Sequence, residues 1–126
     1  MMSKKFTLLV IEDDEASYRL IEAALRVIDL EMLHADNGQD GINLFSEHNV
    51  DLVLLDIQLP GMDGYEVLDH LKKINPKIQV IAQTAYSMSD DKDKCIELGC
   101  SDFLSKPLNI MQFRELIAEY KERLIP

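Results

Sequence analysis

Residues 52–64 read LVLLDIQLPGMDG, and the change of character inside this stretch decides the fold. Val53, Leu54 and Leu55 are too uniformly apolar for a half-wet strand and too few for a helix, which predicts a short strand covered on both faces. The run ends in a carboxylate, Asp56, followed by Ile57, Gln58 and Leu59, then by the turn signal Pro60-Gly61 and by Asp63-Gly64. Asp63 is placed to cap a helix whose third position is Glu66. A strand, an acidic tip, a tight loop and a helix therefore follow in order. In open α/β sheets, ligands gather at such carboxyl ends of strands.

The rest of the chain repeats this alternation. Phe6 to Ile11, FTLLVI, reads as a buried strand running into Glu12-Asp13-Asp14-Glu15, and a helix follows with Ile21, Leu25 and Ile28 on one face. Leu30 to Ala35 is shorter and more polar, as expected nearer a sheet edge. Asn37-Gly38 opens a second helix that turns Gly41, Ile42 and Phe45 inward. After the strand ending at Asp56, a third helix buries Val67, Leu68, Leu71 and Ile74 and stops at Asn75-Pro76. Ile78 to Ala82 makes a fourth strand with Thr84 at its tip. Met88 to Leu98 is helical but heavily charged, with a thin apolar stripe around Cys95 and Leu98, and Gly99 ends it. A short strand at Asp102 to Leu104 leads to Lys106-Pro107, and a last helix buries Phe113, Leu116, Ile117, Tyr120 and Leu124. Five strands alternating with five helices through right-handed crossovers predict a parallel sheet in a three-layer α/β sandwich.

Composition bounds the function. At 126 residues and 47% hydrophobic, the chain suits one domain with a single core. A formal charge of −10 leaves no basic stripe to neutralise phosphates, which argues against nucleic-acid or anionic-membrane binding. Cys95 and Cys100 lack partners at zinc-type spacing and read as reduced thiols, with one disulfide left open. No apolar run approaches spanning length, and the start MMSKKF lacks the apolar core of a signal peptide, so a soluble, cytoplasmic protein is expected.

The topology predicts that separated residues meet. The tips of the first, third, fourth and fifth strands carry Glu12 and Asp13, then Asp56, Thr84 and Lys106, and in a doubly wound sheet these share one edge. Crowded carboxylates repel unless a cation neutralises them. A hard divalent ion with oxygen ligands, most simply Mg2+, fits that need and keeps waters in its remaining positions. A carboxylate beside Mg2+, with an amine and a hydroxyl aimed at the same point, is equipment for accepting a phosphoryl group as an acyl phosphate. Asp56 is then the nucleophile; Lys106 offsets charge on the transferring oxygens and Thr84 donates a hydrogen bond to one of them.

In the pieces LLVIEDDE, LVLLDIQLPGMDGYEVL, IAQTAYSM and CIELGCSDFLSKPL, followed by the closing helix, the chain resembles the receiver domains of two-component response regulators, of the single-domain chemotaxis and relay type. The likeness spans almost all of 1–126, read as one receiver domain. It implies a flavodoxin-like sheet of order 2-1-3-4-5 and an aspartyl phosphate at Asp56. By the same resemblance Asp13 ligates Mg2+ directly, Glu12 through water and Gln58 through its backbone carbonyl. Phe103 corresponds to the switch aromatic and Lys106-Pro107 to a bond usually cis. Asp14 extends the acidic run and leaves open which neighbour ligates. The implied donor is a histidine kinase or histidine phosphotransfer protein, docking near the first helix and the Asp56 loop, and the output is contact with a downstream protein.

Each residue also has a blander reading. An Asp after a strand is commonly a cap, a lone Thr84 a loop hydroxyl, a lone Lys106 a solvated charge and Phe103 core. Tyr86 reads equally as a loop anchor or a lid. His34, His48 and His70 show no paired ligand spacing and read as surface or packing residues. Three rival functions are a receiver-like binding module that never phosphorylates, an aspartate-based Mg2+-dependent phosphohydrolase and a flavin carrier. Against the second, Gln58 stands where its second acid is expected. Against the third, a phosphate-cradling first loop would not be filled with acids.

Overall fold

The computed structural model describes residues 5–85 and 89–124, with the backbone alone at 89–91. Tyr86 and Met88 lie outside the described residues. Strands and helices alternate as β1 (Thr7–Ile11), α1 (Glu15–Leu25), β2 (Glu31–Ala35), α2 (Gly38–Glu47), β3 (Leu52–Asp56), α3 (Gly64–Ile74), β4 (Gln79–Thr84), α4 (Ser89–Glu97), β5 (Asp102–Ser105) and α5 (Ile110–Leu124). The strands form one parallel sheet in the order β2-β1-β3-β4-β5.

The apolar runs explain this order. Every residue of β1 and β3 is buried, as central strands require, whereas β2 exposes Glu31 and half-buries its next three residues at the edge. Alternation then divides the core in two. Leu9, Ile11, Val53, Leu55, Val80 and Ala82 face α2, α3 and α4, meeting Phe45, Val67, Leu68, Leu71 and Cys95. Leu8, Val10, Leu52, Leu54 and Ile81 face α1 and α5, meeting Ile21, Ala24, Leu25, Phe113, Ile117 and Tyr120. Three layers result.

Local signals set the helix ends. Asp14, Asn37 and Asp63 cap α1, α2 and α3 by accepting from Ser17 N, Asp40 N and Tyr65 N. At the end of α4, Gly99 takes φ +108°, with Gly99 N donating to Ile96 O at 3.0 Å and Cys100 N to Cys95 O at 2.9 Å. This paired closure brings Cys95 and Cys100 together in the core, where both are free thiols, and burial pushes the Cys100 thiol up.

Helical spacing overreached at four positions. Ile28 lies beyond α1, half-buried in the turn against the α1 and α5 core. Ile74, Leu98 and Leu124, expected inside, are 48%, 42% and 36% exposed. All four sit at or past the C-terminal end of a helix, where it overhangs the rim opposite the Asp56 tip. Leu116 is half-buried, packed against the core. At that same rim Lys5 pairs with Asp29 at 3.8 Å, and Ala118 and Glu122 of α5 flank the Val27–Asp29 turn. No helix among the described residues is long and apolar enough to cross a membrane.

The Tyr120 hydroxyl ties α5 to β5 by donating to the Asp102 carboxylate. Burial, reinforced by Asp102, pushes its pKa from 10.0 up to about 12. The folded protein holds this proton to higher pH than the unfolded chain, so its stabilisation is complete below pH 10 and is lost as the pH rises to about 12. Chemical denaturation from pH 9 to 12 will therefore show about 2–3 kcal/mol of alkaline loss that is absent from Tyr120→Phe.

Candidate functional site

Register brings the strand tips level. Ile11 lies opposite Leu55, Asp56 opposite Gln83 and Thr84 opposite Ser105. Pairing continues one step past the strands: Glu12 N donates to Ala35 O at 3.0 Å, Ile57 N to Gln83 O at 3.0 Å and Lys106 N to Thr84 O at 2.8 Å. Residues 12, 57 and 106 thus leave the sheet from one edge.

The first loop is held from several sides. His34 of β2, stacked flat on Tyr18 of α1 at 3.7 Å, donates from Nε2 to the Glu12 carbonyl at 2.9 Å. Asp14 N donates to Glu12 Oε2 at 3.1 Å, while the Asp14 carboxylate is committed to the α1 cap through Ser17 N and Oγ at 2.9 and 2.7 Å. Those Ser17 bonds hold the Asp14 carboxyl below its ordinary range. Glu12 and Asp13 bring carboxylate oxygens close to Asp56, whereas Asp14 is a cap.

Asp56 is buried, and its Oδ1 accepts from Gln58 N at 2.9 Å. The loop behind it is tight because α3 starts against its backbone. Gly64 N donates to Ile57 O at 3.1 Å, and a Cβ at residue 64 would sit 2.5 Å from Ile57 Cα, so only glycine fits.

Lys106, preceding a cis bond to Pro107, lies between the acids, with Nζ 2.7 Å from Glu12 Oε1 and 2.9 Å from Asp56 Oδ2. Burial pushes the Glu12 carboxyl from 4.5 up to about 7, against the pull of Lys106 and with a further push from Asp56. Burial works against the Lys106 ammonium too, but its bonds to Glu12 and Asp56 outweigh that and hold its proton more tightly than usual. One ammonium therefore serves two buried carboxyl groups.

Carboxylate oxygens of Glu12, Asp13 and Asp56 lie within 4.8 Å of one another, with Asp13 exposed at the mouth. An all-oxygen donor set with surplus negative charge and one side open to water fits a hard divalent cation such as Mg2+. Glu12 already accepts from Lys106, Gln83 and Asp14 N, which leaves its carboxylate crowded. Gln58 presents its N–H to Asp56, and its side-chain Oε1 accepts from Ala85 N at 3.4 Å. Thr84 is buried at the tip of β4 and lines a cleft with Ile57, Gln58 and Tyr65. Phe103, opposite Ala82, is half-buried against the α2, α3 and α4 core.

Two participants escaped the sequence reading. Gln83, fully buried, donates from Nε2 to Glu12 Oε1 at 3.2 Å; its signal was an amide inside the apolar strand IQVIAQT. His34 was read as a surface or packing residue, and only cross-strand register shows that it reaches the Glu12 carbonyl.

Residues 8–118 match the response regulator receiver domain model. The polar-differentiation response regulator DivK of Brucella anthropi is 34% identical over 116 residues, covering 90% of this chain and 94% of that protein. A cyclic di-GMP phosphodiesterase of Thermotoga maritima is 36% identical over 108 residues, 86% of this chain, yet the match spans only 29% of its own length. Among solved structures, the receiver domain of the Saccharomyces cerevisiae response regulator Ssk1, co-crystallised with the histidine phosphotransfer signalling protein Ypd1, superposes with a TM-score of 0.87 at 26% identity, covering all of this chain and 95% of that one. The sheet order, the acidic rim and these likenesses converge: the chain belongs to the response regulator receiver domain family and is a receiver of two-component phosphorelay signalling.

Proposed function

We propose that residues 1–126 form one receiver domain that takes a phosphoryl group on Asp56 from a histidine kinase or histidine phosphotransfer protein, and that this changes a protein-binding face. The carrying observation is the Lys106 ammonium 2.7 and 2.9 Å from Glu12 and Asp56, beside the exposed Asp13 carboxylate. An Asp56 oxygen attacks the phosphorus of the donor's phosphohistidine; the P–O bond forms as the P–N bond breaks, and the imidazole departs with the bonding pair. Asp56 is pre-oriented for this step, one oxygen held by Gln58 N and the other by Lys106.

Asp13 and Asp56 would hold Mg2+ directly, with Glu12 through water and the Gln58 carbonyl completing the protein's share. When bound, the ion supplies positive charge against the phosphoryl oxygens. Lys106 would do the same, and the Thr84 hydroxyl would donate to one of those oxygens. The protein is a phosphoacceptor with at most self-phosphorylation and self-dephosphorylation, and we place it in the cytoplasm.

The phosphoryl group adds about −1.5 to −2 charge at the rim. Drawing Thr84 inward opens space for Phe103, and the face of α4, β5 and α5 changes with it. Ile96 and Met111, 47% and 69% exposed, offer that face to a downstream protein. The donor surface is different. A groove of about 290 Å³ between α1 and the Lys106–Leu108 segment is walled by Leu20, Ile21, Pro107 and Leu108 and leads to Lys106. With Leu20 45% exposed beside it, this groove suits the apolar face of a phosphotransfer helix.

Incubation with acetyl phosphate and Mg2+ will add one phosphoryl group to the intact mass of the wild type and none to Asp56→Ala; a gain in both or in neither refutes the assignment. Asp13→Asn will weaken Mg2+ binding by about tenfold or more in an NMR titration, with little change in melting temperature because the residue is exposed. Leu20→Asp will slow transfer from a cognate phosphotransfer protein by about tenfold, while uptake from acetyl phosphate stays within about twofold.

A further inference from the structure

On the sheet face toward α1 and α5, Leu8, Val10, Leu52, Leu54 and Ile81 are apolar, and Gln83 follows them at the rim, directly opposite Asp56. Gln83 is fully buried, and among the described residues its Oε1 has no hydrogen-bond partner. An amide there gives up apolar packing and leaves an acceptor unmet. What it gains is one bond, from Nε2 to Glu12 Oε1 at 3.2 Å. The nitrogen is the end that meets the carboxylate, since two oxygens would repel.

That bond lands on the oxygen that also accepts from Lys106 at 2.7 Å. Lys106 is shared with Asp56, and a phosphoryl group on Asp56 presents it with more negative charge than Glu12 does. As the ammonium turns to the phosphoryl oxygens, Glu12 Oε1 loses its cationic partner deep in the protein. Asp14 N remains on Oε2 only. A buried carboxylate oxygen left without a donor is costly, and that cost would hold Lys106 back.

We propose that Gln83 is a positioning residue for phosphoryl transfer: it keeps the Glu12 carboxylate bonded and in place so that Lys106 can leave Glu12 for the phosphoryl group. This rests on the reading of Asp56 as the phosphoacceptor. A neutral amide suits the task, because it satisfies Glu12 without competing with Lys106 for Asp56 or repelling a cation at the mouth. Leucine at the same place would fill the core and leave Glu12 Oε1 dependent on the lysine.

The test is a double-mutant cycle with Gln83→Leu and Glu12→Gln. Two quantities are read on each protein: Mg2+ affinity without phosphodonor, from amide shifts, and the maximal rate of phosphorylation by acetyl phosphate at saturating Mg2+. Melting temperature serves as the folding control, and Gln83→Met as a second variant should Gln83→Leu fail to fold. Gln83→Leu is expected to slow the maximal rate by about tenfold, the worth of one charge-assisted hydrogen bond, and to weaken Mg2+ by about threefold as Glu12 loses its fixed position. In the Glu12→Gln background the same replacement is expected to change either quantity by less than about twofold. Equal rates in wild type and Gln83→Leu would overturn the proposal, as would an undiminished effect in the Glu12→Gln background. Failure of the Asp56 reading looks different, since the wild type itself would then take up no phosphoryl group.

Discussion

A single ammonium shared by two buried carboxylates is the constraint around which this rim is built. Glu12 and Asp56 have side chains 0% and 4% exposed, and without Lys106 they would face each other across low-dielectric surroundings. Lys106 reaches both because β5 ends level with β4 and its N–H continues that ladder onto Thr84 O. With Asp13 beside them, one ammonium stands among three acids, and the charges at this rim are left unbalanced.

The parallel sheet makes this economical. Each crossover returns the chain to the far rim, so every strand delivers its last residue to the same edge whatever the sequence distance. Glu12 and Lys106 are far apart along the chain and 2.7 Å apart in space. The helices behind them contribute little chemistry but fix the loops. Asp14 begins α1 at the first tip, and Gly64 lets α3 press on the backbone just after Asp56.

Most of this was legible in the chain. The apolar triplet before Asp56 named a central strand, the polar composition of Leu30 to Ala35 named an edge, and the acids and amine at strand ends pointed to the rim where Glu12, Asp13, Asp56 and Lys106 meet. Gln83 and His34 were not legible, because their meaning depends on which residue lies beside them in the sheet. Ile74, Leu98 and Leu124 misled for a related reason: spacing tells which side of a helix is apolar but not where the layer beneath it stops. Asp14 extended the acidic run without revealing its role, and its cap with Ser17 shows that it serves α1.

The two ends of the described chain meet the same turn. Lys5 pairs with Asp29, and the last turns of α5 flank Val27 to Asp29, at the rim opposite Asp56. A module tethered at either end would hang from the floor of the domain, leaving the roof clear for an incoming donor. The architecture therefore tolerates being a bead on a longer string, with the acidic rim left uncovered.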